Sequence, residues 1–543
     1  LSGICDKSAP NARSADFLVV NRSLIKLHRN ANVNLPTSTL AISGEALVRA
    51  PLAGRISVLL ICAGYLSQPA LAATVIVPDE TPTVQTALDT WADTVLVRPG
   101  TYAERPVIDH PVVLRSTTSA SRPKLQGLDI RNANFWPSVR TLSVDGFDFT
   151  GRIDYQSVSY QIRTLTLRFE NSSLKAGIRV SILDMEDISL LSIRNCLLGG
   201  QSEGAVSAVR MEADTIDGGV WWRTYSGNGV MIRGCWCKGG GEAIRLIGGA
   251  RGSVDSNRID GYTTAIYAED AEDLLVKDNT IRSFFGIRLE SGLRSVVENN
   301  DIRTSDVGIL ARTSYADIRG NVVIASQTHG IWTDQSDHVK VRGNVVGWCG
   351  ATGIRVDRPS YEVAIQNNTT VRNQRSGIVV DPRTIVPVSV VNNIAYGNGE
   401  WAVLVDPAGA IALGCNDWFG NGAGAAAGAS AVTTDVAVDP LFCSLDSLDV
   451  RLDSASTLLE ASGCAGIGAL GVGCGSTATL VRHFAGARVA EGIRVVWEVA
   501  EGATASEIWV ERADGSSGEA WLRPLTQRSI EGSVVVEVDR SVV

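Results

Sequence analysis

At 543 residues the chain is too long for one ordinary hydrophobic core, so it is either several domains or a repeat that grows along one axis. Its 45% hydrophobic and 20% charged residues are the composition of a soluble globular protein, and 54 glycines point to many tight turns. The net charge of −9 argues against nucleic acid and anionic membranes as partners.

In chain order, residues 1–54 show no clear periodicity and are assigned no function. Residues 55–72 then read as a secretory signal. Arg55 precedes a short apolar core from Ile56 to Leu66, and Ala70-Leu71-Ala72 follows as a cleavage site. The apolar run is too short to span a bilayer, which needs about 20 residues. An apolar N-terminal anchor is the alternative. Without residues 1–72 the chain carries 42 basic and 55 acidic side chains, a net charge of −13. The expected location is therefore secreted or at the cell surface, with no membrane insertion after cleavage. Acidic polysaccharides would be repelled except at a local basic patch or through bound cations.

After the signal, "TVQTALDTW" (83–91) predicts a short amphipathic helix with Val84, Ala87, Leu88 and Trp91 on one face. The strand "TVLV" (94–97) and the turn "PGTY" (99–102) follow. A repeat then dominates. Asn257, Asn279, Asn300, Asn321, Asn344, Asn368, Asn393 and Asn416 recur every 21–25 residues, with Asn171 and Asn195 as earlier members and Cys235 in the same position. Apolar residues within each period alternate, as in "LLVKDNTIRSFFGIRLE" (274–290), which predicts three strands of three to five residues divided by turns. Each winding would stack on the last at the strand spacing of about 4.8 Å. The recurrent Asn is architecture in this reading: it tolerates left-handed backbone, and its amide bonds the next Asn in the stack. The interval of 40 from Asn195 to Cys235 predicts an insertion of about 17 residues carrying Trp221, Trp222 and Tyr225. These aromatics would either wall a groove or plug the coil.

This pattern resembles the right-handed parallel β-helix of the pectin-lyase-like superfamily, over residues 73–475. The opening stretch 75–116 is similar to that of secreted bacterial members, in which the short helix closes the bottom of the coil. The fold class expected is all-β. From 479 to 543 longer alternating strands and Trp497 look like part of a fibronectin type III-like sandwich. Cys415, Cys443, Cys464 and Cys474 read as a disulfide-stapled cap. Cys235-Trp-Cys237 has the wrong spacing for a zinc knuckle.

A pentapeptide accompanies the repeat: "GIRLE" (286–290), "GILAR" (308–312), "GIWTD" (330–334), "GIRVD" (353–357), "GIVVD" (377–381) and "AVLVD" (402–406). Alternation turns its second and fourth residues inward and its third and fifth outward. One outward column is then Arg245, Tyr267, Arg288, Leu310, Trp332, Arg355, Val379 and Leu404. The other is Ile247, Glu269, Glu290, Arg312, Asp334, Asp357, Asp381 and Asp406. The resemblance implies that saccharide chains lie on this strand's outer face, with catalytic acids or calcium ligands there. It therefore points to Asp334, Asp357, Asp381 and His329 as catalytic candidates. Trp332, Arg355, Arg288, Tyr267, Trp221 and Trp222 are the candidates for substrate binding.

Carboxylates one rung apart would lie about 5 Å from each other, the spacing of a retaining glycosidase pair. Those two rungs apart slightly exceed the inverting range. The other reading of these acids is turn chemistry, since an Asp ending a strand caps the turn that follows. Signatures of polygalacturonases are absent, and "DPRT" (381–384) lacks the His of the Asp-Pro-His signature of alginate epimerases. Two functions remain in competition. One is an exported polysaccharide hydrolase, lyase or epimerase, with no cofactor required beyond a candidate calcium ion. The other is a non-catalytic β-helix that binds a polysaccharide or cell-surface glycan, or serves as a surface component.

Overall fold

The computed structural model describes residues 73–474, apart from 132–140, 157–164, 182–187, 225–228, 305, 359–361, 382–387, 407–410, 431, 462 and 465. Outside that span it describes the backbone of a few strands. Residues 1–71 form a unit of their own, in which Phe17–Val20 pairs antiparallel with Ser23–Lys26. The signal segment 55–72 lies outside the described residues.

The second unit is built on a parallel β-solenoid. Sheet 1 has 16 strands, from Thr74–Val77 to Ala412–Gly414. Sheet 2 has 14, from Thr101–Tyr102 to Ile394–Tyr396, and sheet 3 has 15, from Val107–Ile108 to Gly424–Ala427. One rung shows the pattern: Leu274–Lys277 lies in sheet 1, Thr280–Ser283 in sheet 2 and Phe285–Glu290 in sheet 3. Each strand pairs with its equivalents one rung before and after. Inward columns make a continuous core; Ile266, Ile287, Ile309, Ile331, Ile354 and Ile378 are in register and fully buried.

The turn from sheet 1 to sheet 2 holds the Asn ladder. From Asn257 to Asn416 each Nδ2 donates to the Oδ1 of the next Asn at 2.9–3.1 Å, and Asp435 receives the last bond. The left-handed residue is the one before it: Ser256, Asp278, Asn299, Gly320, Gly343, Asn367, Asn392 and Cys415 have φ of 53–64°. This separates two jobs that the sequence reading gave to one residue. Asn171 and Asn195 hold the left-handed slot themselves (φ 49° and 52°), so they are not ladder members; Ser172 and Cys196 follow them there. A second ladder, not foreseen, joins Asn373, Asn398 and Asn421 between sheets 2 and 3.

The expected insertion between Asn195 and Cys235 is a further rung. Val209–Glu212, Thr215–Ile216 and Val220–Thr224 occupy sheets 1, 2 and 3, and Asp214 stands where later rungs carry Asn. Tyr225 lies outside the described residues.

The helix Val84–Leu88 forms as expected. Thr83 caps it by accepting from the Thr86 N–H, and Val84, Ala87 and Leu88 are buried in the main core. Trp91 does not share that face: it is 58% exposed, with φ of 59°, and stacks on His110 at 4.8 Å. At the other end, Cys415–Cys464 and Cys443–Cys474 are disulfides. The tail they staple folds back over the outer face of sheet 2, where Val450 packs with Val345 and Val371, and Leu452 and Leu458 with Ile394. After 480, Val481–Val489, Gly492–Val499, Val534–Asp539 and Thr526–Glu531 form an antiparallel sheet in that order. Among the described residues, the only further strand pair there is Arg512–Ala513 with Trp521–Leu522.

Candidate functional site

The pentapeptide strands are those of sheet 3, and their opening glycine has a steric cause. A Cβ on Gly308 would stand 2.2 Å from Val323 Cγ1 and 2.6 Å from the Gly330 carbonyl; Gly330 meets Val346 and Gly353 in the same way. Both outward columns exist in the predicted register. Arg245, Tyr267, Arg288, Leu310, Trp332, Arg355, Val379 and Leu404 align rung upon rung. So do Ile247, Glu269, Glu290, Arg312, Asp334, Asp357 and Asp381.

The three stacked acids are nonetheless covered: Asp334, Asp357 and Asp381 are 4%, 8% and 6% exposed. Long neighbours lie against the first two. Arg358 donates to Asp334 at 2.6 Å, with Arg312 at 3.4 Å on the other oxygen. Asp357 Oδ2 accepts from Arg355 Nε at 2.7 Å and from Trp332 Nε1 at 3.0 Å, while its Oδ1 is buried without a partner. The turn-capping reading fails for this pair, because their hydrogen bonds go to guanidinium and indole groups and not to the N–H groups of the next turn. No group of three or more His, Cys, Asp or Glu side chains among the described residues is arranged to hold a metal ion. Arg358 and Arg355 each occupy one carboxylate oxygen, of Asp334 and Asp357 respectively.

Below the acids the first column is a stack of rings and cations. Arg245 sits 4.8 Å from the centre of the Tyr267 ring and 5.5 Å from that of Trp221, and Arg288 lies 5.5 Å from Tyr267 on its other side. The Tyr267 hydroxyl donates toward Glu269 and Glu290, both at 3.1 Å. Burial and the bond to Glu290 push that phenol well up. Burial alone would raise Glu290, but its bonds to Arg288 and Tyr267 bring it below the ordinary range. Tyr267 is 9% exposed, with Arg245 and Arg288 against its ring. Trp222 is a correction. It is 1% exposed and points into the core, in register with Gly204 and Leu246, because alternation allows only one of two adjacent tryptophans to face out. Trp221 is the outward one, 36% exposed.

Two recesses mark this face. The one beside the acids, about 330 Å³, is lined by Phe285, Arg288, Leu310, Arg312, His329 and Trp332, with Asp306, Val307 and Thr328. It opens where Leu310 is the short member of its column between Arg288 and Trp332. His329 meets Trp332 edge-on at 5.5 Å, and its Nδ1 is buried without a partner. Burial, helped by the nearby Arg355, lowers its imidazole to about 4, so it is neutral at pH 7. The other recess, about 450 Å³, surrounds Trp221.

The right handed beta helix region, as a family, matches residues 217–346 and 285–431. Among solved structures, the periplasmic alginate epimerase AlgG is similar at 14% identity and a TM-score of 0.35, over 67% of this chain and 82% of that one. The A-module of the Azotobacter vinelandii mannuronan C-5 epimerase AlgE6 is similar at 14% identity and 0.29, over 65% and 93%. A tailspike protein mutant of Escherichia coli bacteriophage HK620, in complex with a pentasaccharide, is similar at 10% identity and 0.26, over 84% and 86%. A search of curated proteins gives no significant match. At such scores the likenesses are too loose to transfer a role or a residue.

Proposed function

We propose that the outer face of sheet 3 binds a saccharide chain, with the recess at Trp332 as its anchor. The observation that carries this reading is an indole whose edge is fixed by Asp357, facing an open recess flanked by Arg288, Arg312 and a neutral His329. An immobilised aromatic face beside fixed polar groups is what stacking on a sugar ring requires. Asp334, Asp357 and their arginines hold the rungs and the indole in place. Two disulfides fit an exported protein in an oxidising compartment. No helix of the described residues is long and apolar enough to cross a membrane.

The second reading, a polysaccharide hydrolase, lyase or epimerase, draws on the register of Asp334, Asp357 and Asp381 and on the unpartnered nitrogen of His329. Paired carboxylates count against it, because a general acid must carry its proton and a nucleophile must be free. One experiment separates the two. The protein is titrated with oligosaccharides of pectin, alginate, glycosaminoglycans and neutral glycans, with and without calcium, while reducing ends and unsaturated uronates are followed. Binding without product, weakened roughly tenfold in Trp332→Ala, is the expected result. Product formation lost in Asp357→Ala would establish the enzyme, and no binding by any chain would end both readings.

A further inference from the structure

The second recess lies five rungs below Trp332 on the same column, through Trp221, Arg245, Tyr267, Arg288 and Leu310. At the strand spacing that is about 24 Å. Its walls are Arg179, Glu203, Trp221, Arg223, Arg245 and Ile247. The hollow has a sequence cause. In the second outward column the member below Arg223 is Ala205, too short to fill the surface between its neighbours.

Its charge sets it apart. From Arg179 to Arg358 the arginines of this face are tied to acids: Arg179 to Glu203, Arg245 to Glu242, Arg288 to Glu290, Arg312 and Arg358 to Asp334, and Arg355 to Asp357. Arg223 is the exception among the described residues, an exposed guanidinium with no carboxylate beside it. With Arg179 and Arg245 each paired to a glutamate, Arg223 is the unpaired cation of the lining, next to an indole with 36% of its surface open.

We infer that this recess is a separate subsite for a sugar ring bearing an anionic group, a carboxylate or a sulfate ester. The ring stacks on Trp221 and the anion pairs with Arg223, the one guanidinium here whose fork is free for bidentate contact. The inference rests on the saccharide-binding reading for the nature of the ring, but not on Trp332. It also shows how a chain of net negative charge takes an acidic ligand, through a local unpaired cation.

The test uses the full chain and disaccharides, which are far shorter than the gap between the recesses. Uronate, sulfated and neutral disaccharides are titrated into the wild type, Arg223→Gln, Trp221→Ala and Trp332→Ala at two salt concentrations. Anionic disaccharides are expected to bind about tenfold more weakly to Arg223→Gln, with a flatter salt dependence, and unchanged to Trp332→Ala. Neutral disaccharides should not sense Arg223. The uronate and sulfate arms decide which anion is preferred. Anionic binding that survives Arg223→Gln, or that Trp332→Ala removes, overturns the subsite while sparing the Trp332 reading. Failure of every anionic disaccharide to bind the wild type overturns the subsite outright. Long chains that ignore Trp332→Ala would instead remove the proposed anchor.

Discussion

Asp214 is the residue where the ladder's logic is broken. Its Oδ1 accepts the Cys196 N–H at 2.8 Å, as an Asn oxygen would, but its Oδ2 is buried with no partner where later rungs present an amide donor. Burial, outweighing that bond, lifts its carboxyl to about 7, against about 3.9 for an unfolded Asp. The folded state therefore holds the proton between these values and the unfolded state does not. Stability from this residue is present below about pH 4 and is lost as pH rises toward 7. Asp214→Asn supplies the missing donor and removes the titration. Denaturant melts of the two proteins should nearly coincide at pH 4 and separate by about 4 kcal/mol at pH 8, with the variant more stable. Asp417, also lifted to about 7 by burial, titrates in both and cancels. Parallel pH profiles would show that Asp214 is already satisfied.

At the scale of the rung, the ladder and the turn that feeds it are different devices. Asn321 is fully buried: its Oδ1 takes the backbone N–H and the amide of Asn300, and its own amide reaches the Val297 carbonyl and Asn344. Asn321→Ala strands a buried N–H and a carbonyl, and should cost about 3 kcal/mol in a melt. Asn195 is exposed, left-handed, and makes one amide bond, to Asn171 at 3.3 Å. Asn195→Ala should cost about 1 kcal/mol, and Asn195→Gly less, since glycine accepts that backbone freely. Equal losses at the two positions would refute the division of labour. The sequence hid this division because Asn serves both slots, one residue apart, and aligning on Asn alone merges them. The same alignment stepped over Ala213-Asp214 and turned a whole rung into an insertion. Strand columns were legible because a period of two leaves no freedom about which side faces out, and that rule also separates Trp221 from Trp222. The pairing of Asp334 follows from the same stacking, which brings Arg358, 24 residues away in the turn one rung later, beside the acids.

A solenoid's stability is a sum over rungs and their contacts with nearest neighbours, so a perturbation at one end should stay there. The stapled tail puts this to the test. It is held to the last rungs by Ala469 N–H on Thr369 Oγ1 at 3.0 Å, by Gly468 N–H on the Asn392 carbonyl at 2.7 Å, and by the apolar contacts of Val450, Leu452 and Leu458. The disulfides close loops with sequence separations of 49 and 31, each worth about 3–4 kcal/mol through the chain entropy they remove. Reducing them should loosen the tail and uncover the outer face of sheet 2 over strands Val345–Gly347, Thr369–Val371 and Ile394–Tyr396. Hydrogen exchange read along the chain should then speed up in those strands and stay unchanged in strands between 254 and 319. Under native conditions, alkylation after reduction should label Cys415, Cys443, Cys464 and Cys474 and spare the buried Cys196, Cys235, Cys237 and Cys349. Faster exchange throughout the coil would mean that it unfolds as one cooperative body. No change would mean that the hydrogen bonds and apolar contacts hold the tail without the disulfides, which then act only on the unfolded chain.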